Sequence, residues 1–334
     1  MIPTRQQYRT YYRQPWQAGI LVITGSEGNL PRNCYNYSMK LDIAPGKYVV
    51  AVSGGVDSMV LLHMLAKRPE LQLTVAHFDH GIRPDSYKDR QLVEDEATRM
   101  GLSFVYETAR LGSNASEGQA RKARYAFLRH TKEQASAQAV ITAHHQDDII
   151  ETMILNLRRG TGRKGLSSLK TTNDLMRPLL NYTKSELQMY AEREGVQWRE
   201  DSTNNNEKYA RNYVRHTVVP QLSPAQRAKL LHIYEQSVQR NEAIDQLVQE
   251  VAANLSEDNA VVRKKFIALP HAVAHEVMTH LLRQRNVRNL SRQGISRLVV
   301  ALKTGQPHTT YDVDKNWIFL LSNRDAKIIP RYRS

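Results

Sequence analysis

The sequence contains a single cysteine, Cys34, among 334 residues. One thiol excludes an internal disulfide framework, and it also excludes a zinc site built from several cysteines. No apolar run is long enough to span a membrane. No N-terminal stretch has the apolar core and small-residue cleavage site of a signal peptide. We therefore expect a cytoplasmic protein without a membrane partner.

Acidic residues are also scarce relative to basic ones. The chain has 33 Asp and Glu against 47 Lys and Arg, which gives a formal net charge of +14. Such an excess favours a polyanionic partner, although charge alone does not determine a fold. The length is sufficient for two or three domains and a sizeable core.

A buried strand, a tight loop and a helix start are predicted at one point of the chain. The apolar run Val49–Val52 stops at Ser53, two glycines follow, and a helical pattern begins near Asp57. Glycines let backbone N–H groups approach an anion, and a helix N-terminus adds more donors. A carboxylate beside a phosphate is repulsive unless a divalent cation lies between them, so Asp57 is the predicted metal ligand. The predicted anion loop comprises Ser53, Gly54, Gly55, Val56, Asp57 and Ser58.

Strand and helix patterns alternate from Tyr48 to Leu157. This alternation predicts an α/β fold with a doubly wound parallel sheet. Ligands of such sheets bind at the carboxyl ends of the strands, where Ser53, His77 and His144 fall. The predicted strands are 48–52, 73–78, 103–106 and 139–143, and the predicted helices are 57–66, 86–100, 118–134 and 147–157.

A histidine and three carboxylates form a second candidate group at this edge. In a helix that starts here, His144, Asp148 and Glu151 share one face, and Asp147 lies one turn before Glu151. Acidic residues in a first helical turn also have a simple explanation in the helix dipole. The position at the ligand edge favours a site that holds a metal ion, an ammonium group, or both.

Three further basic segments each allow two interpretations. Arg121, Arg124 and Tyr125 share a helix face that is either a phosphate clamp or a solvated surface. The glycine-rich segment 158–166, which includes Arg159, either binds phosphate or closes over a site, or it is a solvated connection that does neither. Arginines between 283 and 297, including Arg285 and Arg288, either lie on a solvated helix face or contact phosphate.

The Ser53–Ser58 string resembles the pyrophosphate loop of the ATP-pyrophosphatase superfamily. The remaining motifs resemble one family within it, the tRNA(Ile)-lysidine synthases, from Tyr48 to Pro220. The Asp-Ser-x-Asn string at 201–204 and the Arg-Asn-x-x-Arg string at 211–215 are the most specific to that family. The resemblance implies an adenine nucleotide alpha hydrolase-like domain at 41–220. It is preceded by an extension at 1–40 and followed by a smaller, mainly helical tRNA-binding domain with C-terminal strands at 221–334.

The resemblance also implies a reaction. ATP would adenylate the wobble cytidine of the CAU anticodon of tRNA(Ile), and free L-lysine would displace AMP to give lysidine. Asp57 would hold Mg²⁺, and Arg121 would neutralise phosphate charge in the transition state. Asp148 and Glu151 would hold the lysine ammonium groups or accept an amine proton, with His144 as a further catalytic residue beside them. The implied tRNA contacts are Arg159, Arg211, Arg215, Arg285 and Arg288.

Three other functions agree less well with the sequence. A tRNA thiolase of the same superfamily generally uses several cysteines, whereas this chain has only Cys34. An amidotransferase needs ammonia from a glutaminase domain and has no use for a basic tail. A non-catalytic RNA-binding protein would not need an intact Ser53–Ser58 loop.

Overall fold

Five parallel strands form the sheet around which the first half of the chain is built. The computed structural model describes residues 39–81, 85–109, 117–200, 210–257, 260–287 and 290–331. Leu41–Ser334 forms one compact unit. The strand order is β3-β2-β1-β4-β5, and every neighbouring pair is parallel. The strands are β1 (Gly46–Ala51), β2 (Leu71–Asp79), β3 (Ser103–Thr108), β4 (Ala139–Ile141) and β5 (Leu175–Met176).

Helices connect these strands and cover the sheet. The side chains of Tyr48, Val49 and Val50 in the central strand are all buried, and because alternate residues face opposite sides, both faces are covered. Phe127 and Leu128 pack against Val49 on one face. The helices are α1 (Val56–Ala66), α2 (Tyr87–Arg99), α3 (Glu117–Gln134), α4 (Gln146–Arg158) and α5 (Lys184–Glu194).

The second half of the described chain is mainly helical and ends in an antiparallel sheet. Its strand order is β6-β7-β10-β9-β8, and Phe266 and Phe319 are fully buried in its core. The helices are α6 (Ala210–Tyr213), α7 (Pro224–Leu255), α8 (Arg263–Ile267), α9 (His271–Gln284) and α10 (Arg292–Thr304). The strands are β6 (Ser256–Glu257), β7 (Ala260–Val262), β8 (Thr309–Asp312), β9 (Trp317–Leu321) and β10 (Asp325–Pro330).

Helix α7 joins the two halves through apolar packing. Tyr234 packs against Ile149, Met153 and Leu169, and its hydroxyl donates to the Leu169 carbonyl at 3.1 Å. Between α6 and α7 the chain forms a π-helical turn, Val214–Val218, and a 3-10 turn, Val219–Gln221. Arg215 lies in the π-helical turn, and Arg211 lies in α6 just before it.

The predicted fold class is confirmed, but four strands, β5, β6, β7 and β10, were not predicted. The parallel sheet and the helical second half are as expected. Strand β5 has two residues, too few for a visible apolar pattern, and β10 was not recognised as a strand. In the described ranges, no helix combines the length and apolar character needed to cross a bilayer. The predicted extension falls outside the described residues apart from 39 and 40, and the domain boundaries remain predictions.

Candidate active site

The predicted anion loop is a closed turn between β1 and α1. Gly54 has φ +90, and a Cβ there would lie 3.3 Å from the Asp89 Cβ, so only glycine fits without strain. The Ser58 hydroxyl donates to the Gly55 carbonyl at 2.9 Å and accepts from the Ser53 N–H at 3.1 Å. These bonds hold the loop in one shape before any ligand binds.

A residue far along the chain braces the same loop. The Arg199 N–H donates to the Gly54 carbonyl at 3.0 Å. The Arg199 guanidinium donates to Asp89 at 2.7 Å and to Asp85 at 3.2 Å. Asp89, a residue of α2, is therefore close to Gly54 and bonded to Arg199, so α2 also supports the loop.

A cavity of about 290 Å³ opens beside this loop, at the carboxyl ends of β1, β2 and β4. Its size is near the lower end for small-molecule sites. Arg124 reaches it from α3, and burial lowers the pKa of this guanidinium. The other polar side chains that line it include Ser53, Asp57, Ser58, His77, Asp79 and His144.

Asp57 lines this cavity and has one unsatisfied carboxylate oxygen. Its Oδ1 atom is buried without a hydrogen-bond partner in the described part of the chain, and its Oδ2 lies 3.5 Å from His145 Nε2. No group of three His, Cys, Asp or Glu side chains among the described residues forms a metal cage. A single carboxylate fits the way proteins commonly hold Mg²⁺, in which the phosphates of the substrate supply further ligands.

His145, rather than His144, is the histidine in contact with the carboxylates. Helix α4 begins at Gln146, so the expectation that His144 shares a helical face with Asp148 and Glu151 is wrong. The His145 N–H donates to Asp148 Oδ2 at 3.0 Å, and its Nε2 lies 3.6 Å from the same atom. Burial alone would lower the pKa of His145, but the carboxylates of Asp148 and Asp57 raise it to about 8.

His144 turns toward the cavity instead. Its Nδ1 lies 2.8 Å from the Thr142 hydroxyl, and burial lowers the pKa of His144 to about 3. The ring is therefore neutral at physiological pH. Asp147 has a structural role, because it accepts hydrogen bonds from the Lys184 N–H at 3.2 Å and from the Arg227 guanidinium.

Two arginines neutralise the remaining carboxylates, and we call these four residues the carboxylate–arginine cluster: Asp148, Glu151, Arg211 and Arg215. Arg215 donates to both oxygens of Glu151, at 2.6 and 3.0 Å, and to Asp148 Oδ1 at 3.1 Å. Arg211 donates to Glu151 at 3.1 Å and to Asp148 at 3.4 Å. Although burial opposes ionisation, the surrounding positive groups lower the pKa of Asp148 to about 2. Burial likewise opposes protonation of Arg215, yet its bonds to Glu151 raise its pKa.

The two arginines of α3 point to different places. Arg121 and Arg124 lie over the Tyr125 ring, 4.8 and 5.4 Å from its centroid. Arg124 lines the cavity, whereas Arg121 lines a second pocket together with Arg177. The predicted phosphate clamp is thus divided between two sites.

The glycine-rich segment is anchored by acidic side chains of the second half. Arg163 donates to Asp245 at 2.7 Å and to Glu276 at 2.8 Å, and Lys164 donates to Asp245 at 2.9 Å. These two cations are neutralised within the protein, while Arg159 is exposed. The segment therefore links α4 to α7 and α9.

The remaining predicted tRNA contacts lie in different settings. Arg285 ends α9 and donates to the Leu281 carbonyl at 3.2 Å, and burial lowers its pKa. Arg288 lies outside the described residues, as does the Asp-Ser-x-Asn string at 201–204.

Sequence reasoning did not select His145 or Arg177 as site residues. His145 was overlooked because the start of α4 decides which of two adjacent histidines caps the helix. Arg177 was overlooked because it follows β5, which was not predicted. One local signal was present, because a residue directly before a proline, as Arg177 is before Pro178, favours an extended conformation over a helix.

The fold and the loop define a class of protein that comparison with known families identifies. Residues 33–222, more than half of the chain, match the PP-loop domain family (ATP_bind_3), and the chain belongs to this family. Curated relatives from several bacteria carry the name tRNA(Ile)-lysidine synthase. They confirm the resemblance inferred from the motifs.

Three of these relatives show how far the likeness extends. The protein of Nitrosomonas europaea is 32% identical over 302 residues, which cover 84% of this chain and 65% of the relative. That of Thermus thermophilus is 34% identical, covering 78% of this chain and 53% of the relative. That of Wolbachia pipientis is 41% identical, covering 50% and 41%. The chain thus spans between 41% and 65% of the length of these relatives.

Proposed function

We propose that this protein ligates free lysine to the wobble cytidine of the CAU anticodon of isoleucine tRNA, at the expense of ATP. The carbonyl oxygen of the cytidine would attack the α-phosphate of ATP and release pyrophosphate. The lysine ε-amine would then attack the ring carbon that bears the adenylated oxygen, lose a proton and displace AMP. The names of the relatives support this reaction. The observation that carries it is the unsatisfied oxygen of Asp57 beside a closed anion loop and a cavity of about 290 Å³.

The loop and Asp57 suit the phosphates of ATP. Backbone N–H groups at the start of α1 face an anion with the positive end of the helix dipole. Asp57 would hold Mg²⁺, which, when bound, neutralises phosphate charge. We assign the neutralising guanidinium inside the cavity to Arg124 and not to Arg121, since Arg124 lines it. The neutral ring of His144 can accept a hydrogen bond from a substrate group there.

Lysine binding by Asp148 and Glu151 is compatible with their charge but requires an exchange. Both carboxylates already accept hydrogen bonds from Arg211 and Arg215. An ammonium group would replace part of one guanidinium contact, and this exchange requires movement of the segment at 210–215. The amine would then lie at the carboxyl edge of the sheet, beside His145 and the cavity.

The direct test offers the protein ATP, labelled lysine and tRNA(Ile) transcripts. Label on the RNA together with AMP release is the expected result, and a transcript whose wobble cytidine is replaced by uridine should accept none. AMP release with a label taken only from a sulfur donor or from ammonia would assign the protein to another reaction. RNA binding without any AMP release would leave a non-catalytic binding protein.

A further inference from the structure

A second pocket, of about 410 Å³, lies beside the cavity and is lined by positive charge. Three of its cations, Arg121, Lys122 and Arg129, come from α3, and the fourth, Arg177, directly follows β5. None of the described residues that line it is acidic. We call this feature the cationic pocket.

Arg177 indicates that the pocket is built for an anion. The residue is only 6% exposed, and its Nε is buried without a hydrogen-bond partner among the described residues. One of its terminal nitrogens donates to the Lys170 carbonyl. Burial, together with the nearby charge of Arg121, lowers the pKa of Arg177. A buried guanidinium with an unused donor is costly unless an anion accepts from it.

One tyrosine ring contacts an arginine of the pocket and an arginine of the cavity. Tyr125 lines the pocket, and its ring lies under Arg121, which lines the pocket, and under Arg124, which lines the cavity. The charges of Arg177 and Arg121 also act on His144 in the cavity, where they add to the effect of burial on its pKa. An anion in the pocket is therefore within electrostatic reach of the reacting groups.

We propose that the cationic pocket binds a phosphodiester of the RNA backbone adjacent to the nucleotide that enters the cavity. This inference rests on the proposed function. A guanidinium offers a planar pair of donors that matches two phosphate oxygens, and lysine adds charge without fixed geometry. Lys122 and Arg129 are exposed, so a polymer can reach the pocket from solvent. Phosphate contacts of this kind position an RNA without reading its sequence.

The test removes the two exposed cations with Lys122→Gln/Arg129→Gln. The matched control, Lys47→Gln/Arg99→Gln, also removes one lysine and one arginine charge from exposed positions. Lys47 lies at the start of β1 and Arg99 at the end of α2, which places both at the opposite edge of the sheet. Both variants should melt at the wild-type temperature, and their affinities for ATP and for a CAU tRNA(Ile) transcript are measured across a salt series.

We expect Lys122→Gln/Arg129→Gln to bind the transcript about tenfold more weakly, with unchanged ATP affinity. Each lost contact to single-stranded RNA should reduce the log–log salt slope by about 0.7. The control should lose much less affinity. Equal losses in the two variants would mean that only net charge matters and would overturn the proposal. A loss of ATP affinity with intact RNA binding would assign the pocket to nucleotide phosphate and would also overturn it.

Neutralising the RNA instead of the protein identifies the partner of the pocket. Methylphosphonate linkages are placed singly around the wobble position of an anticodon stem–loop. One linkage should weaken binding to the wild type and have little further effect in Lys122→Gln/Arg129→Gln. If no single linkage had this effect, the proposal would be overturned. Lysine transfer by the wild type is measured in parallel, so that failure of the proposed reaction is distinguished from failure of the pocket.

Discussion

The carboxylate–arginine cluster and the cationic pocket use the same residue type at the same edge of one sheet. In the cluster, Arg211 and Arg215 meet Asp148 and Glu151, and each positive charge is matched by a negative one. In the pocket, the lining cations have no acidic neighbour among the lining residues, and Arg177 keeps an unused donor. Charges that are satisfied within the chain stabilise it, whereas unsatisfied ones point to a ligand.

Asp57 is a carboxylate with an unsatisfied oxygen, and its replacement should have the largest effect on activity. Asp57→Asn is nearly isosteric, but an amide is a poor ligand for a cation between protein and phosphate. We expect ATP-dependent AMP release to fall by about three orders of magnitude, in the range found when one electrostatic group of an active site is lost. Thermal melting should be unchanged. Wild-type turnover in this variant would exclude the proposed role.

Glu151→Gln should have the next largest effect, and on stability. It removes the charge that accepts most of the bonds from Arg211 and Arg215, at a position only 1% exposed. Breaking a buried pair leaves an uncompensated charge, and because Asp148 remains, we expect a loss of about 2–3 kcal/mol. Calorimetric melting measures this loss, and the lysine concentration needed for half-maximal transfer should rise.

Glu242→Gln is the matched control for this substitution. Glu242 pairs with Lys170 at 3.2 Å on an exposed surface, where ion pairs contribute about 0–1 kcal/mol. Similar losses in Glu151→Gln and Glu242→Gln would show that the cluster contributes no more than a surface pair. If adenylation and lysine transfer fell equally in Glu151→Gln, the assignment of Glu151 to the amine would be wrong.

Arg177→Met should affect stability less, although Arg177 is also buried. The change removes a charge without a carboxylate partner, so the lost bond to the Lys170 carbonyl is offset by the relief of an unsatisfied donor. We expect the free energy of unfolding to change by less than about 1 kcal/mol. Transcript binding should weaken. A loss as large as that of Glu151→Gln would place Arg177 among the structural charges.

The smallest expected effect is on the pKa of His144, which responds to both the carboxylate–arginine cluster and the cationic pocket. Asp148 raises this pKa, whereas Arg177, Arg124 and Arg121 lower it. The His144 pKa of about 3, set mainly by burial, lies below the ordinary 6.5, so the folded state binds fewer protons than the unfolded one between these values. The stabilisation by this group is complete above pH 6.5 and is lost as the pH falls toward 3. NMR titration should show a higher pKa of His144 in Arg177→Met and a lower one in Asp148→Asn. No change in either variant would contradict the electrostatic contact.

The elements that the sequence predicted correctly are those with a local signal. The apolar strand before Ser53, the glycine turn and the following helix are all contained in one stretch, and so is the alternation of strands and helices. The bonds of Glu151 with Arg211 and Arg215 connect residues about 60 positions apart, and no spacing rule encodes them. The division of Arg121 and Arg124 between two sites depends on the packing of α3, which periodicity does not specify.

The brace between Gly54 and Arg199 also sets an order of events during synthesis. The loop occurs early in the chain, but the Gly54 carbonyl and the Asp89 carboxylate both accept hydrogen bonds from Arg199, far along the chain. A nascent chain can form β1 and α1 soon after they leave the ribosome, since domains fold as they emerge. It cannot complete this loop until residue 199 has emerged as well. The growing polypeptide therefore acquires the complete anion loop late, after all five strands of the parallel sheet have been synthesised.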